Sequence, residues 1–261
     1  LKVNSPFTFF RDGMGIEGTG YDAKIYKGNI YLATNQGLYT KKWDQNARNT
    51  YDFLPAIRGQ VWTLNKFGNQ LLVGHNRGAH VIKGQSVEEL YSNQGTWEFI
   101  QLSSEKELLL AGTYSSLIIL NQKNGKWTYR NKIKGFNESS RVLEQDSAGN
   151  IWVSHGYKGI YRLKLNKDYD SVVSKDFYDS RHGLPSDIDN YVYKLNDQVV
   201  FGTAKGIYRF NPRSETFVPH SYWQKWFGEK RNIRFPQEDS SGNIWYAINE
   251  TPHYLSKTKE G

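Results

Sequence analysis

The sequence predicts an all-β protein, a β-propeller of four-stranded antiparallel blades. Three observations carry that prediction. An apolar run preceded by Gly-Asn recurs along the chain. A second apolar run follows each copy after a small residue, at nearly constant spacing. Helical periodicity is almost absent.

The recurring runs are GNIYLAT from Gly28, GNQLLVGH from Gly68, GNIWVSH from Gly149 and GNIWYA from Gly242, at intervals of 40, 81 and 93 residues. The two long intervals are close to twice 40 and twice 46, so each predicts a worn copy inside it. KELLLAGTYSSLIIL from Lys106 and DQVVFGTAKGIYRF from Asp197 fill the two gaps. The second anchor falls at Gly37, Gly78, Ser116, Gly159, Gly206 and Pro252, spaced by 41, 38, 43, 47 and 46 residues. Six units follow, around residues 20–50, 57–92, 97–130, 140–178, 188–220 and 231–258, within one domain covering 1–261. They make a six-bladed ring or part of a seven-bladed one.

The fourth unit shows how each element is read. SRVLEQD is a strand rich in residues that fit a pleated sheet, SAGN is a turn whose Gly or Asn takes positive φ, and IWVSH is the second strand. GYKG is the next turn, IYRLKLN the third strand and DFYDS the fourth. Four antiparallel strands in about forty residues make one propeller blade. A lone blade leaves two apolar faces in water, and stacked neighbours hide them. Trp152, Tyr161, Tyr208 and Trp245, at matched positions, are therefore expected between blades. SYWQKWFGEK (221–230) is expected as a short helix or an elaborated loop, and SPFTFF (5–10) as a closing strand paired with the last unit.

Composition narrows the function. The 261 residues include no cysteine, which excludes a disulfide scaffold, a thiolate metal site and a cysteine nucleophile. A balance of 34 basic and 26 acidic residues gives +8, but the basic residues are scattered and read as solvation, not as a nucleic-acid footprint. The most apolar stretch, Leu108 to Leu120, is broken by Gly112, Thr113, Tyr114, Ser115 and Ser116, so no membrane insertion is expected of this segment. The N-terminus lacks both Met and a signal-peptide layout, and the chain reads as a segment of a longer protein.

Several patterns resemble chemistry. GMGIEG (13–18) matches a dinucleotide fingerprint but leads into a strand where the mechanism needs a helix, so no cofactor is expected. The six histidines lack metal-ligand spacing. His75 and His155 replace the Thr that ends the second strand elsewhere, which provides a local hydrogen bond or an imidazole at the rim. Asp146 and Asp239, in DSAGN and DSSGN, fit Asx turns better than calcium loops. Asp187 and Asp189, two apart at the start of a strand, are expected to point one way, and with Glu138 or Glu250 they form the carboxylate pairs a glycosidase would need.

In a propeller, the loops leading into each first strand and the loops joining second to third strands share one face, where a funnel gathers side chains. The first set supplies Arg58, Trp62, Trp97, Arg141, Asp189, Asn190 and Arg231; the second supplies Arg77, Tyr114, His155, Tyr157 and Lys205. Flat rings stack on sugar faces and Arg forks bind anionic groups, so an oligosaccharide, an anionic one among them, is the expected ligand.

HGLPSDIDNYVYKLN (182–196), VVFGTAKGIYRFNP (199–212) and DSAGNIWVSHGYKGIYRL (146–163) resemble the two-component regulator propeller repeat. The resemblance covers about 230 residues and is most specific in the C-terminal half. It implies the extracytoplasmic, periplasmic sensor region of hybrid two-component or membrane-spanning one-component regulators of Bacteroidetes, which respond to glycan fragments. It further implies a non-catalytic module that signals to neighbouring domains of its own chain, or through a homodimer. The competing expectations are a propeller glycoside hydrolase or polysaccharide lyase, and a protein-interaction scaffold.

Overall fold

The computed structural model describes residues 13–43, 50–84 and 86–257. The expected closing strand at 5–10 lies outside them. Among the described residues, five four-stranded sheets and one three-stranded sheet follow in chain order, with sequence neighbours paired antiparallel. The first holds β1 (Gly20–Tyr26), β2 (Asn29–Thr34), β3 (Gly37–Lys42) and β4 (Asp52–Arg58). The second holds β5 (Val61–Phe67), β6 (Gln70–His75), β7 (Gly78–Lys83) and β8 (Ser86–Tyr91). The third runs in the order β12-β11-β10-β9 over β9 (Thr96–Gln101), β10 (Leu108–Thr113), β11 (Leu117–Lys123) and β12 (Lys126–Lys132). The fourth holds β13 (Val142–Gln145), β14 (Ile151–His155), β15 (Gly159–Leu165) and β16 (Val172–Tyr178). The fifth holds β17 (Tyr191–Leu195), β18 (Gln198–Thr203), β19 (Gly206–Asn211) and β20 (Thr216–Pro219). In the sixth, β21 (Ile233–Glu238), β22 (Ile244–Ile248) and β23 (Thr251–Leu255) follow the helix α1 (Ser221–Phe227). The first sheet extends past residue 50, because β4 pairs back on β3 with Phe53 opposite Tyr39 and Arg58 opposite Gly37.

The chain forms two compact units. One is built on residues up to Phe99 with Trp127–Tyr129, the other on Ile100–Lys126 and from Arg130 onward. In the first unit, Leu38, Ile57, Leu64, Leu71 and Val73 form a core between the first and second sheets. In the second unit, Leu110, Ile119, Phe136, Leu143 and Val153 fill one core. Trp152, Tyr178, Phe201 and Phe217 fill another, and Val200, Trp223, Phe227 and Ile233 a third. Trp152 is the hub of the second of these, with Phe210 and Phe201 rings at 4.9 and 5.1 Å. Arg162 lies over that ring cluster and is held there by Asp176 at 3.0 Å and Glu215 at 3.2 Å.

Two kinds of turn recur at the places of the repeat. At Lys27–Gly28 and Asn196–Asp197 both turn residues have positive φ, the two-residue hairpin turn whose twist matches the strands. In the fourth and sixth sheets an aspartate organises a longer turn. The Asp146 carboxylate accepts from the Ala148 and Asn150 N–H groups, from Asn150 Nδ2 and, at 2.8 Å, from the Trp152 indole. Asp239 does the same with Ser241, Asn243 and Trp245, which holds its carboxyl down to about 2, the Asn243 side chain contributing most. These are the expected Asx turns, and both carboxylates are saturated by donors.

Small residues mark where one blade meets the next. Before the terminal Thr or His of the second strands stand Ala33, Gly74, Gly112, Ser154 and Gly202. A Cβ at Gly74 would sit 2.8 Å from the Thr96 carbonyl oxygen, and one at Gly112 would overlap that of Ser140. At the matching place Ser154 uses its extra atom, its Oγ accepting from the Val192 N–H at 2.7 Å. The corresponding amide in the first unit, Leu64 N–H, donates to Asp22 at 2.7 Å.

Gly112→Ala is expected to destabilise the protein by about 3 kcal/mol through overpacking against backbone. Gly156→Ala, with nothing within 4 Å of the new carbon, is expected to leave stability nearly unchanged. Denaturant melts of the two variants check this; equal stability would show that the close approach does not constrain packing.

Candidate functional site

In the first unit, three aromatic residues occupy the beginnings of three first strands. Tyr21 is the extra residue of a bulge between Gly20 and Asp22, and Trp62 of one between Val61 and Thr63. Trp97 is the second residue of β9. The Tyr21 and Trp62 rings are 5.0 Å apart at 42°, and Trp62 and Trp97 are 4.6 Å apart at 46°. Bulges re-aim side chains, and here they put two rings into one row. Tyr21, which is 42% exposed, escaped sequence analysis because a bulge is invisible to strict alternation. Asp22 lies beside the row. Burial raises its pKa, opposed by the Leu64 amide, then Lys24.

Arg58 and Arg77 do different work. Arg58 places its guanidinium 5.3 Å from the Phe53 ring on β4, and Arg77 Nη2 donates to the Arg58 carbonyl at 3.2 Å. Between them lies His75, fully buried. Its Nδ1 accepts from the Arg77 amide, so Nε2–H faces the Arg58 carbonyl at 3.2 Å. Thr34 and Thr203 accept from the residue two positions on in the same way. His75 thus serves as the local hydrogen bond, with its pKa lowered to about 4 by burial and by the neighbouring His80 and Arg77.

In the second unit, His155 repeats that bond with the Tyr157 amide at 3.2 Å, leaving Nε2 3.7 Å from Glu138. Glu138 also accepts from Lys158 at 2.9 Å and Tyr161 at 3.2 Å. Lys158 holds the Glu138 carboxyl below its usual range, while burial and that carboxylate push the Tyr161 hydroxyl up to about 12. The Tyr157 ring is 84% exposed. Tyr114 is half-buried in the β10–β11 turn, Arg141 is exposed just before β13, and Lys205 is exposed between β18 and β19. Arg231 is exposed and packs on Gly228 at the end of α1.

HGLPSD (182–187) begins at the last residue of a short 3₁₀ turn, Ser180–His182, capped by Asp179. Asp179 accepts from Arg181 and His182, which hold it down to about 2, Arg181 contributing most. Asp187 accepts from the Ser180 amide at 2.8 Å. Asp187 and Asp189 therefore do not alternate along a strand: both precede β17, and Asp189 has φ 61°. Asp189 pairs with Arg234 at 3.2 Å, whose guanidinium lies 4.1 Å over Tyr191. Asn190 is buried and donates to the Ser186 carbonyl. Glu144, overlooked in sequence analysis, is a half-buried carboxyl on β13 raised to about 7 by burial, with Lys194 opposing.

GMGIEG is a loop before β1 whose Met14 and Ile16 pack on the cluster of Ile30, Leu32, Tyr39 and Tyr51. Among the described residues no group of three or more His, Asp or Glu could hold a metal ion, and no helix is long and apolar enough to cross a membrane.

The sequence matches no family model and no curated protein. Solved structures do match. The extracellular domain of the putative hybrid two component system BT3049 from B. thetaiotaomicron is 16% identical with a TM-score of 0.66, over 95% of this chain and 35% of that one. The corresponding domain of BT4673 from the same organism is 13% identical at 0.55, over 93% and 32%. Virginiamycin B lyase from Staphylococcus aureus is 11% identical at 0.56, over 90% and 83%. The chain spans about a third of the length of the first two. At these identities the likeness establishes the fold: the chain is a β-propeller, with six blades among the described residues.

His75 predicts a pH dependence. A folded pKa near 4 against 6.5 unfolded means that the unfolded chain binds more protons between those values. Its contribution is complete above pH 6.5 and is lost as pH falls toward 4. His75→Thr, the residue at the matching place in other blades, removes that loss. The stability difference between wild type and variant is expected to shift against wild type by about 1–3 kcal/mol from pH 7 to pH 4. A pH-independent difference would contradict it.

Proposed function

We propose that this chain is a non-catalytic, ligand-sensing propeller module of a bacterial signal-transduction regulator, placed in its extracytoplasmic region and responding to a glycan fragment. The observation that carries this reading is the fold match over 95% of the chain to the extracellular domain of a putative hybrid two component system. The resemblance of HGLPSD and DSAGNIW to the regulator propeller repeat supports it. So does the engagement of the carboxylates a hydrolase would need. Asp187 holds Ser180, Asp189 holds Arg234, and Glu138 holds Lys158 and Tyr161. A ligand passes a signal only through its difference in affinity between two states, and neighbouring domains or a second copy supply the second state.

Glu144 favours a second reading, a glycoside hydrolase or lyase, because a carboxyl near 7 suits a general acid. One experiment separates the two. The isolated protein is incubated with a panel of plant and host oligosaccharides, and melting temperature and products are followed together. The sensor reading expects a binding saccharide to stabilise the fold, by about 2.7 kcal/mol at a hundredfold excess over Kd, with every glycosidic bond intact. Cleavage that Glu144→Gln abolishes would replace it with the enzyme reading.

A further inference from the structure

The structure assigns a stacking site for neutral sugar rings to the row Tyr21–Trp62–Trp97 in the first unit. The inference rests on the glycan-sensing reading and adds to it a place and a ligand class. The row is built rather than incidental. Two of its three members are the extra residues of β-bulges, at the same place in β1 and β5. Bulges interrupt ladder hydrogen bonds, and they recur where a side chain has to be re-aimed. A ring serving only the core would need no such device. Among the described residues, the cluster of Leu38, Ile57, Leu64, Leu71 and Val73 and the cluster of Ile30, Leu32, Tyr39 and Tyr51 include none of the three. Tyr21 keeps 42% of its surface exposed, and both tryptophans are half-buried.

The rings are tilted by 42° and 46° to one another at 4.6–5.0 Å. They form a tilted strip in which Tyr21 is exposed and both tryptophans are half-buried. Such a strip suits a ligand with several small apolar faces set at angles, as successive pyranose rings are, more than one flat aromatic molecule. Hydroxyl groups around each sugar ring need hydrogen-bond partners. Thr63, which follows Trp62, carries a hydroxyl already bonded to Asn65 at 2.8 Å.

Charge selects within the saccharides. Asp22 follows Tyr21 in sequence, and its Oδ2 lies 2.7 Å from the Leu64 amide and 3.4 Å from Thr63 Oγ1. The Asp22 carboxyl, engaged by these donors and with Lys24 acting on it, offers an anionic sugar no net attraction at the row. Arg58 and Arg77 are engaged at the end of β4, on Phe53 and on the Arg58 carbonyl. The ligand class at this row is therefore a neutral oligosaccharide, which narrows the expectation drawn from the arginines of the sequence.

The test titrates the protein with cellohexaose, xylohexaose, maltohexaose, mannohexaose and oligogalacturonate, following tryptophan fluorescence and heat. The row predicts that a neutral hexasaccharide binds and shifts the indole emission. Tyr21→Ala is expected to weaken that binding about tenfold, the loss of one stacking ring, and Trp62→Phe to weaken it less while the melt stays near wild type. Lys164→Ala, an exposed residue of β15 in the second unit, is expected to bind as wild type does. Binding of a neutral sugar that is unchanged in Tyr21→Ala and Trp62→Phe would overturn the site and leave the sensing reading standing. Tighter binding of oligogalacturonate would overturn the ligand class. No binding by any saccharide would overturn this inference together with the glycan-sensing reading.

Discussion

The constraint on which the structure depends is the close approach of a second strand to the first strand of the next sheet. A first strand has one edge in its own sheet and one edge open, and an open edge needs partners. Gly74 and Gly112 let the next chain segment pass where a Cβ would meet a carbonyl oxygen. Ser154 turns the same spot into a hydrogen bond with Val192. Where the matching residue is Ala33, Asp22 on the bulged first strand supplies the acceptor for Leu64 instead. One amide, two chemical solutions: the requirement belongs to the packing and not to a particular residue. Burial behind that contact then provides the stabilising energy, as the Trp152 cluster shows.

The polar groups follow the same logic. Most carboxylates that look chemical in the sequence hold loops in place. Asp146 and Asp239 each close a turn and fix an indole six residues on. Asp179 and Asp187 hold the turn before β17. Donors saturate these groups and keep Asp179 and Asp239 ionised far below their usual range, so they are poor candidates for proton transfer. In the proposed sensing reading, recognition falls to aromatic surface and a few cations. Glu144 is the exception, carrying a raised pKa without such donors.

Much of the fold was legible, for a physical reason. Apolar runs separated by Gly, Asn and Asp repeat because every blade solves one burial problem, so the strand pattern survives even in worn copies such as Lys106–Leu120. Trp152 and Tyr208 were legible as packing residues for the same reason. The site was less legible. Trp62 and Trp97 stand in one row, but Tyr21 joins them through a bulge that strand periodicity cannot show. The sequence places Arg58 at the start of a funnel loop, and a position in a loop cannot show that its guanidinium lies over Phe53. Their spacing predicts Asp187 and Asp189 as strand neighbours, and a left-handed residue at Asp189 undoes that alternation. The signal for His75 lay in plain view: an imidazole standing where Thr stands elsewhere accepts the same amide.

The central claim, that the outward amide of a first strand is satisfied by the preceding blade, is open to direct measurement by native-state hydrogen exchange. The account predicts that the Leu64 and Val192 amides exchange slowly in the wild type. It also predicts selectivity: Ser154→Ala accelerates Val192 and leaves Leu64 slow, while Asp22→Ala does the reverse. If both amides exchange as fast as exposed loop amides, or if neither substitution changes its own partner, the contact does not couple the blades and the account of their packing fails.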